Sequence, residues 1–275
     1  AFAVGTTSCN NVAIGRNALG GGVVTGDGAN VAIGKLAMDA LTTGLCNVAI
    51  GTNALGASTT GCLNIAIGDL ALGASTDGID NIAIGRSALA VSGGVGDKNI
   101  AIGVDAMGST DVSGENNIAM GESSMDALTS GICNIAIGVN SLGGSSTGCN
   151  NIALGNVAMG GADTTGINNI AIGTTAADAL ITGYNNIAMG KNAYGGAAAG
   201  NNNIALGEES MAALVTGANN VALGRASLDA MTCGACNIGI GQNALGASVS
   251  GHYNIGIGQQ ALNGALTGIN NIGIG

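Results

Sequence analysis

Seven cysteines, one histidine and a scatter of aspartates are the residues of this 275-residue chain whose types could do chemistry. Cys46 and Cys62 form one close pair in sequence, and Cys133 and Cys149 repeat that spacing further along. Cys233 and Cys236 make a weaker local pair in a Cys-Gly-Ala-Cys segment, and Cys9 is left over. Such thiols can form disulfides, serve as small buried apolar residues, or bind a metal. The metal reading is the weakest, because no histidine accompanies Cys233 and Cys236 and a zinc site needs two more ligands. His252 has no evident nucleophile or carboxylate partner. Asp39, Asp126 and Asp229 each follow a Leu-type or Met-type position and read as solvated turn residues. No glycine loop leads into the Lys-Ser/Thr of a phosphate cradle. The Gly-Gly-x-Gly-x-Asp nonapeptide of calcium-binding rolls does not occur. These residues predict neither an enzyme nor a cofactor nor a metal centre.

The elements that position them follow from a repeat. An Asn-Ile-Ala-Ile-Gly motif closes on glycine 17 times between Gly5 and Gly275, and after the first two intervals every step is 17 or 18 residues. Units this short gain a core only by stacking on their neighbours. Counting from the motif glycine as position 0, the stretch from −4 to −1 alternates with period two and is rich in β-branched residues, a strand signature. The two Ile side chains share one face, and Asn and Ala share the other. Thr or Ser and then glycine, at −8 and −7, mark a second corner. The prediction is an all-β parallel β-solenoid of about 16 coils, 17–18 residues per coil, forming a single repeat array over 1–275. Its core is expected to be thin and built from Ile, Leu, Val, Met and Ala.

Position −4 is asparagine in every copy but the first: Asn11, Asn30, Asn47, Asn64, Asn81, Asn99, Asn117, Asn134, Asn151, Asn169, Asn186, Asn203, Asn220, Asn237, Asn254 and Asn271. A recognition row is one reading of this column. A scaffold ladder, in which stacked asparagines bond to each other and to turn backbone, is the favoured one. Position −2 stays Ala or Gly in all 17 copies. That smallness implies close approach by another layer of the coil or by another chain, and favours a packed oligomer. Stacking also brings Cys46 near Cys62 and Cys133 near Cys149, within disulfide reach. Rung-to-rung disulfides are therefore expected there, and with them an oxidising compartment. Buried free thiols are the competing reading.

Composition narrows the function classes. The chain has 52 Gly, no Pro, no Trp and one Phe, yet is 47% hydrophobic, which excludes both an ordinary aromatic core and disorder. Net charge is −10 with six Lys and Arg, against nucleic-acid binding. Arg16, Lys35, Arg86, Lys191 and Arg225 all fall at +1, with Asp69 and Glu208 in the same column, so opposite charges are expected to alternate along an exposed face. No signal peptide and no membrane-crossing apolar run is found. The two ends lack the polar caps of natural solenoids, so a fragment, a processed form, or ends that stack on other chains are all expected alternatives.

The repeats, such as Asn-Asn-Ile-Ala-Ile-Gly-Thr-Thr-Ala-Ala at 168–177 and Asn-Val-Ala-Ile-Gly-Thr-Asn-Ala-Leu at 47–55, resemble those in the heads of trimeric autotransporter adhesins and in phage and viral tail fibres. The resemblance spans essentially the whole chain. It implies a left-handed β-roll, three chains side by side, on the outside of a cell or virion. The expected function is a structural extracellular fibre, filament or adhesin shaft whose partner is itself, as a trimer or end to end, with a cell-surface or host receptor as a further partner. The alternative is a monomeric binding solenoid for ice, carried by the column Thr43, Thr60, Thr147, Thr165, Thr182, Thr216 and Thr267 at −8, interrupted by Asp77, Val95, Ala199 and Cys233.

Overall fold

The computed structural model describes residues 9–22, 24–25, 28–91, 96–196, 199–214, 216–264 and 267–275. The first motif copy, with Phe2 and Val4, lies outside the described residues, as does Val95. The chain divides into two compact units, residues 1–134 and 135–275.

In the first unit the strands are β1 (Val12–Ile14), β2 (Val31–Ile33), β3 (Val48–Ile50), β4 (Ile65–Ile67), β5 (Ile82–Ile84), β6 (Ile100–Ile102) and β7 (Ile118–Met120). In the second they are β8 (Ile135–Ile137), β9 (Ile152–Leu154), β10 (Ile170–Ile172), β11 (Ile187–Met189), β12 (Ile204–Leu206), β13 (Val221–Leu223), β14 (Ile238–Ile240), β15 (Ile255–Ile257) and β16 (Ile272–Ile274). Within each unit every strand pairs in parallel with the next in sequence, and each residue faces its equivalent one coil on, as Ile65↔Ile82 and Ala66↔Ala83. The fold is an all-β parallel β-solenoid, and no helix occurs among the described residues.

Three-residue strands hold because the rest of the coil bonds to its neighbours as well. Between the coils ending at Gly51 and Gly68, Gly68 N–H donates to Ile50 O (2.8 Å), Leu70 N–H to Thr52 O (3.0 Å) and Leu63 N–H to Leu45 O (2.9 Å). In the other direction Val48 N–H donates to Asn64 O (2.8 Å) and Leu55 N–H to Ala71 O (2.9 Å). The backbone aims its donors alternately up and down the stack by taking left-handed conformations at −5, +2 and +4, as in Leu63 (φ 60), Leu70 (φ 59) and Leu72 (φ 48). Each such residue costs about 1–2 kcal/mol unless it is Gly, or Asn at lower cost. Position −5 is accordingly often Asn, as in Asn150, Asn168, Asn185 and Asn202.

The motif glycine is fixed for a second reason. Gly68 has φ +138, and a Cβ built on it meets the Gly85 carbonyl oxygen at 2.4 Å. Any side chain there would push adjacent coils apart. Coils of 18 residues absorb their extra residue between +4 and −7: Leu55 to Gly61 spans six steps, Met107 to Gly114 seven.

The core inverts part of the sequence expectation. Position −2 lies inside, with Ala49, Ala66, Ala83, Ala136 and Ala153 at 0% exposure, and so does the Asn column. The buried Leu and Met come from +4, such as Leu55, Leu72, Met107 and Met159, and in some coils from +7, such as Leu41, Leu128 and Met231. The two layers touch: a Cβ placed on Gly256 at −2 would sit 3.1 Å from Leu245 Cγ. Constant Ala is therefore an internal feature of a narrow coil. The Val and Ile of the strands point out.

Candidate interaction surface

Turning the Ala column inward puts the β-branched column at −3 and the apolar column at −1 on the outer face of the sheet. Ile14 is 57% exposed, Ile137 42% and Met189 40%, and Ile65 and Ile67 are open as well. The two columns stand about 6.6 Å apart along the strand and repeat about every 4.8 Å along the stack. Apolar columns of this kind form a candidate interaction surface rather than a scatter of single exposed residues.

Two edges border this face. On the far side of the motif glycine lie +1 and +2, where Lys191 Nζ stands 3.9 Å from Glu208 Oε1, as the charge column leads one to expect. Arg86 departs from that expectation. Its partner is not Asp69 one coil back but Asp105 at +2 one coil on, at 3.8 Å. Both pairs are solvent-exposed and contribute little to stability. The near edge is formed by −6 and −5, the outward corner before the strand, with exposed Leu63, Ile79, Ile132, Ile167 and Tyr184.

That near edge carries a regularity the sequence reading missed. In four coils an acceptor at −6 takes the backbone N–H of the −6 residue one coil back: Ile79 N–H to Asp97 Oδ1 (2.8 Å), Tyr184 N–H to Asn201 Oδ1 (3.0 Å), Ala235 N–H to His252 Nδ1 (3.1 Å) and Leu45 N–H to Cys62 Sγ (3.4 Å). His252 is thereby a structural acceptor through Nδ1. Its ring also lies 6.3 Å from that of Tyr253.

The same geometry shows where the cysteines of the expected pairs lie. All seven cysteines carry free thiols. Cys46 sits at −5 and Cys62 at −6, one residue out of register, and the Cys62 thiol faces Leu45 N–H and Thr60 O (3.3 Å) instead of Cys46. Cys133 and Cys149 repeat the one-residue offset in sequence, and the Cys149 thiol lies 3.4 Å from Thr147 O. Cys233 and Cys236 are likewise unbridged.

The Asn column is buried scaffold. Asn47 Oδ1 accepts the backbone N–H of Asn64 (2.9 Å) and its side-chain amide (3.1 Å), while Asn47 Nδ2 donates to Gly61 O (2.7 Å). The pattern recurs through Asn30, Asn99, Asn117, Asn169, Asn186, Asn203, Asn220, Asn237 and Asn254, each tying its strand to the −7 glycine of the following coil. Asn64, Asn81 and Asn151 make the same bond to a −7 glycine carbonyl. At the ends of the described column, Asn11 accepts the Asn30 N–H and Asn271 donates to Asn254. Asn134 is also buried, and its N–H donates to Asn117 Oδ1 (3.0 Å).

Thr43, Thr60, Thr147, Thr165, Thr182, Thr216 and Thr267 are all exposed. The aspartates at +5 are not the solvated residues expected: Asp39, Asp126 and Asp229 are half-buried. Burial pushes the carboxyls of Asp39, Asp178 and Asp229 above the usual carboxylate range, against the opposing pull of backbone hydrogen bonds. Folding holds these protons more tightly than the unfolded chain does. Their contribution is therefore full below the ordinary carboxylate value and is lost as pH rises through the raised one. Asp126 Oδ1 is buried without a hydrogen-bond partner. Asp229 also lines a shallow cleft of about 270 Å³ with Asn243, Gly246, Ala247 and Asn263, where Asn263 Oδ1 accepts the Ala247 N–H (3.0 Å). Among the described residues no three His, Cys, Asp or Glu come together as a metal site, and no helix is long and apolar enough to cross a membrane.

No protein-family model matches the chain, and no curated protein matches it.

Proposed function

We propose that this chain is a structural shaft, a segment of an extracellular fibre or adhesin, that packs side by side with copies of itself through the Val/Ile face of its sheet. The observation that carries the reading is that face. Each strand presents two apolar side chains outward while its Ala and Asn are spent inside. A surface that repeats identically at the coil spacing is matched rung for rung by another surface of the same period, and a second copy has that period. The likeness of the repeats to adhesin heads and tail fibres supports the extracellular setting. The mechanism is mechanical: bonds between every pair of coils within each unit and a dry Ala/Leu core resist heat, denaturant and protease.

Light scattering behind a sizing column tests this. The expected result is a discrete multiple of 26.0 kDa. Ile67→Lys with Ile84→Lys should return the chain to monomer with its β-rich circular dichroism intact. A wild-type chain of 26.0 kDa at every concentration would sink the proposal. A second reading, the binding solenoid for ice, is favoured by the exposure of the Thr column. Thermal hysteresis by the wild-type chain, abolished by Thr60→Tyr, would establish it, and freezing behaviour like that of buffer removes it.

A further inference from the structure

Resting on that side-by-side reading, the charges on the two edges of the Ile face fix how copies line up. We infer that copies related by rotation about an axis along the stack sit at the same height, held there by an intermolecular clasp of Arg86 with Asp80 of a second copy and Asp105 with Lys98 of a second copy.

The argument begins with two coils of the first unit. The coil closing at Gly85 carries Asp80 at −5, on the near edge, and Arg86 at +1, on the far edge. The coil closing at Gly103 carries Lys98 at −5 and Asp105 at +2. Asp80, Arg86 and Lys98 are exposed, and Arg86 and Asp105 already bridge the two coils at 3.8 Å. Any rotation about an axis parallel to the stack, two-fold or three-fold, brings the near edge of one copy against the far edge of its neighbour at the same height. Asp80 of the neighbour then meets Arg86, and Lys98 of the neighbour meets Asp105. The in-chain pair becomes the centre of a row of four alternating charges.

Slipped heights are worse. A slip of one coil in one direction sets Lys98 against Arg86, Asp80 against Asp69 and Glu115 against Asp105. A slip in the other sets Asp80 against Asp105 and gains only Lys98 against Glu122. In register, the unfavourable matches are Glu115 with Glu122 and Asp97 with Asp105. Asp97, beside Lys98, is engaged by the Ile79 N–H. The apolar columns repeat identically in every coil and cannot choose a height, so the choice falls to the edges.

The test measures the concentration at which the wild-type oligomer dissociates, at low and at high salt, beside Arg86→Glu, Asp80→Lys and the double variant. Circular dichroism checks that each is folded. Each single reversal should raise the dissociation midpoint about tenfold at low salt, the double variant should return close to wild type, and high salt should erase the differences. Oligomers indifferent to all three variants, or a double variant as weak as the worse single, overturn the clasp while leaving side-by-side packing in place. A wild-type chain that never associates fails the packing proposal itself, and this inference with it.

Discussion

Asn220 is the place to test whether the buried asparagine column holds the coils together. It is fully buried. Its Oδ1 accepts the Asn237 N–H (3.0 Å) and side-chain amide (3.1 Å), and its Nδ2 donates to Gly234 O (2.8 Å) and Asn203 Oδ1 (3.1 Å). Asn220→Ala leaves the Asn237 N–H and the Gly234 carbonyl as orphans in a dry interior. At about 1–3 kcal/mol for each unsatisfied buried group, the loss should be about 4 kcal/mol. Asn201→Ala is the control. Asn201 also accepts a backbone N–H, that of Tyr184 (3.0 Å), but at a solvent-exposed corner where water replaces it, so its loss should stay near 1 kcal/mol. Because each coil contacts only its neighbours, the damage should be local. Amide hydrogen exchange should show collapsed protection around β13 and β14 with little change several coils away. Equal effects of the two substitutions, or a loss at Asn220 below about 1 kcal/mol, would show that the column is not what holds the coils in register.

Three further outcomes follow from the geometry. Gly68→Ala forces a Cβ to 2.4 Å from the Gly85 carbonyl at φ +138, and should lower stability by about 3 kcal/mol or more, read as a fall in the denaturation midpoint. Leu63→Asn replaces a half-exposed leucine at φ 60 by the residue that tolerates this conformation, and should raise stability by about 0.5–1 kcal/mol in the same assay. Tyr194 is buried at +4, its hydroxyl accepting from Asn203 Nδ2 (3.1 Å), and burial pushes its phenol from 10.0 up to about 12. Stability is therefore full below the unfolded value and falls as pH rises through the folded one, by about 2–3 kcal/mol in total. Tyr194→Phe should flatten that alkaline decline and remove the last phase of the phenolate absorbance titration.

The period and the strand position could be read directly from the residues, since a glycine recurring at 17–18 with β-branched residues before it admits few folds. Which face turned inward could not. Alternation says that Ile82 and Ile84 share a side and that Asn81 and Ala83 share the other, but period two is symmetric about the sheet. What decides is room. The coil is so narrow that its −2 residues pack directly on +4, as Gly273 does against Leu262, and only Ala or Gly fits there. The constancy of Ala was the signal, and it pointed inward. The left-handed residues at −5, +2 and +4 were less legible because Asn marks −5 and +2 in only some coils, as at Asn185 and Asn53, while Leu and Met at +4 give no local hint. The placement of the thiols was hard to read for a similar reason. A shift of one residue between Cys46 and Cys62 looks trivial in sequence, yet it moves the side chain to a different rung neighbour.

Where the 18-residue coils place their extra residue divides the chain by what it tolerates. From −7 through +4 every residue is pinned to equivalents in the adjacent coils, and an insertion there would throw the donors of a whole coil out of step. Between +4 and the next −7 glycine the path already varies in length by one residue, so a grafted peptide is best carried at the exposed position just before that glycine, clear of the buried +7 residues such as Leu41, Ser58 and Leu128. Each coil thus offers one socket, spaced from the next by a single rung, and the number of coils becomes a quantity that gene duplication can change in whole steps without redesigning any contact.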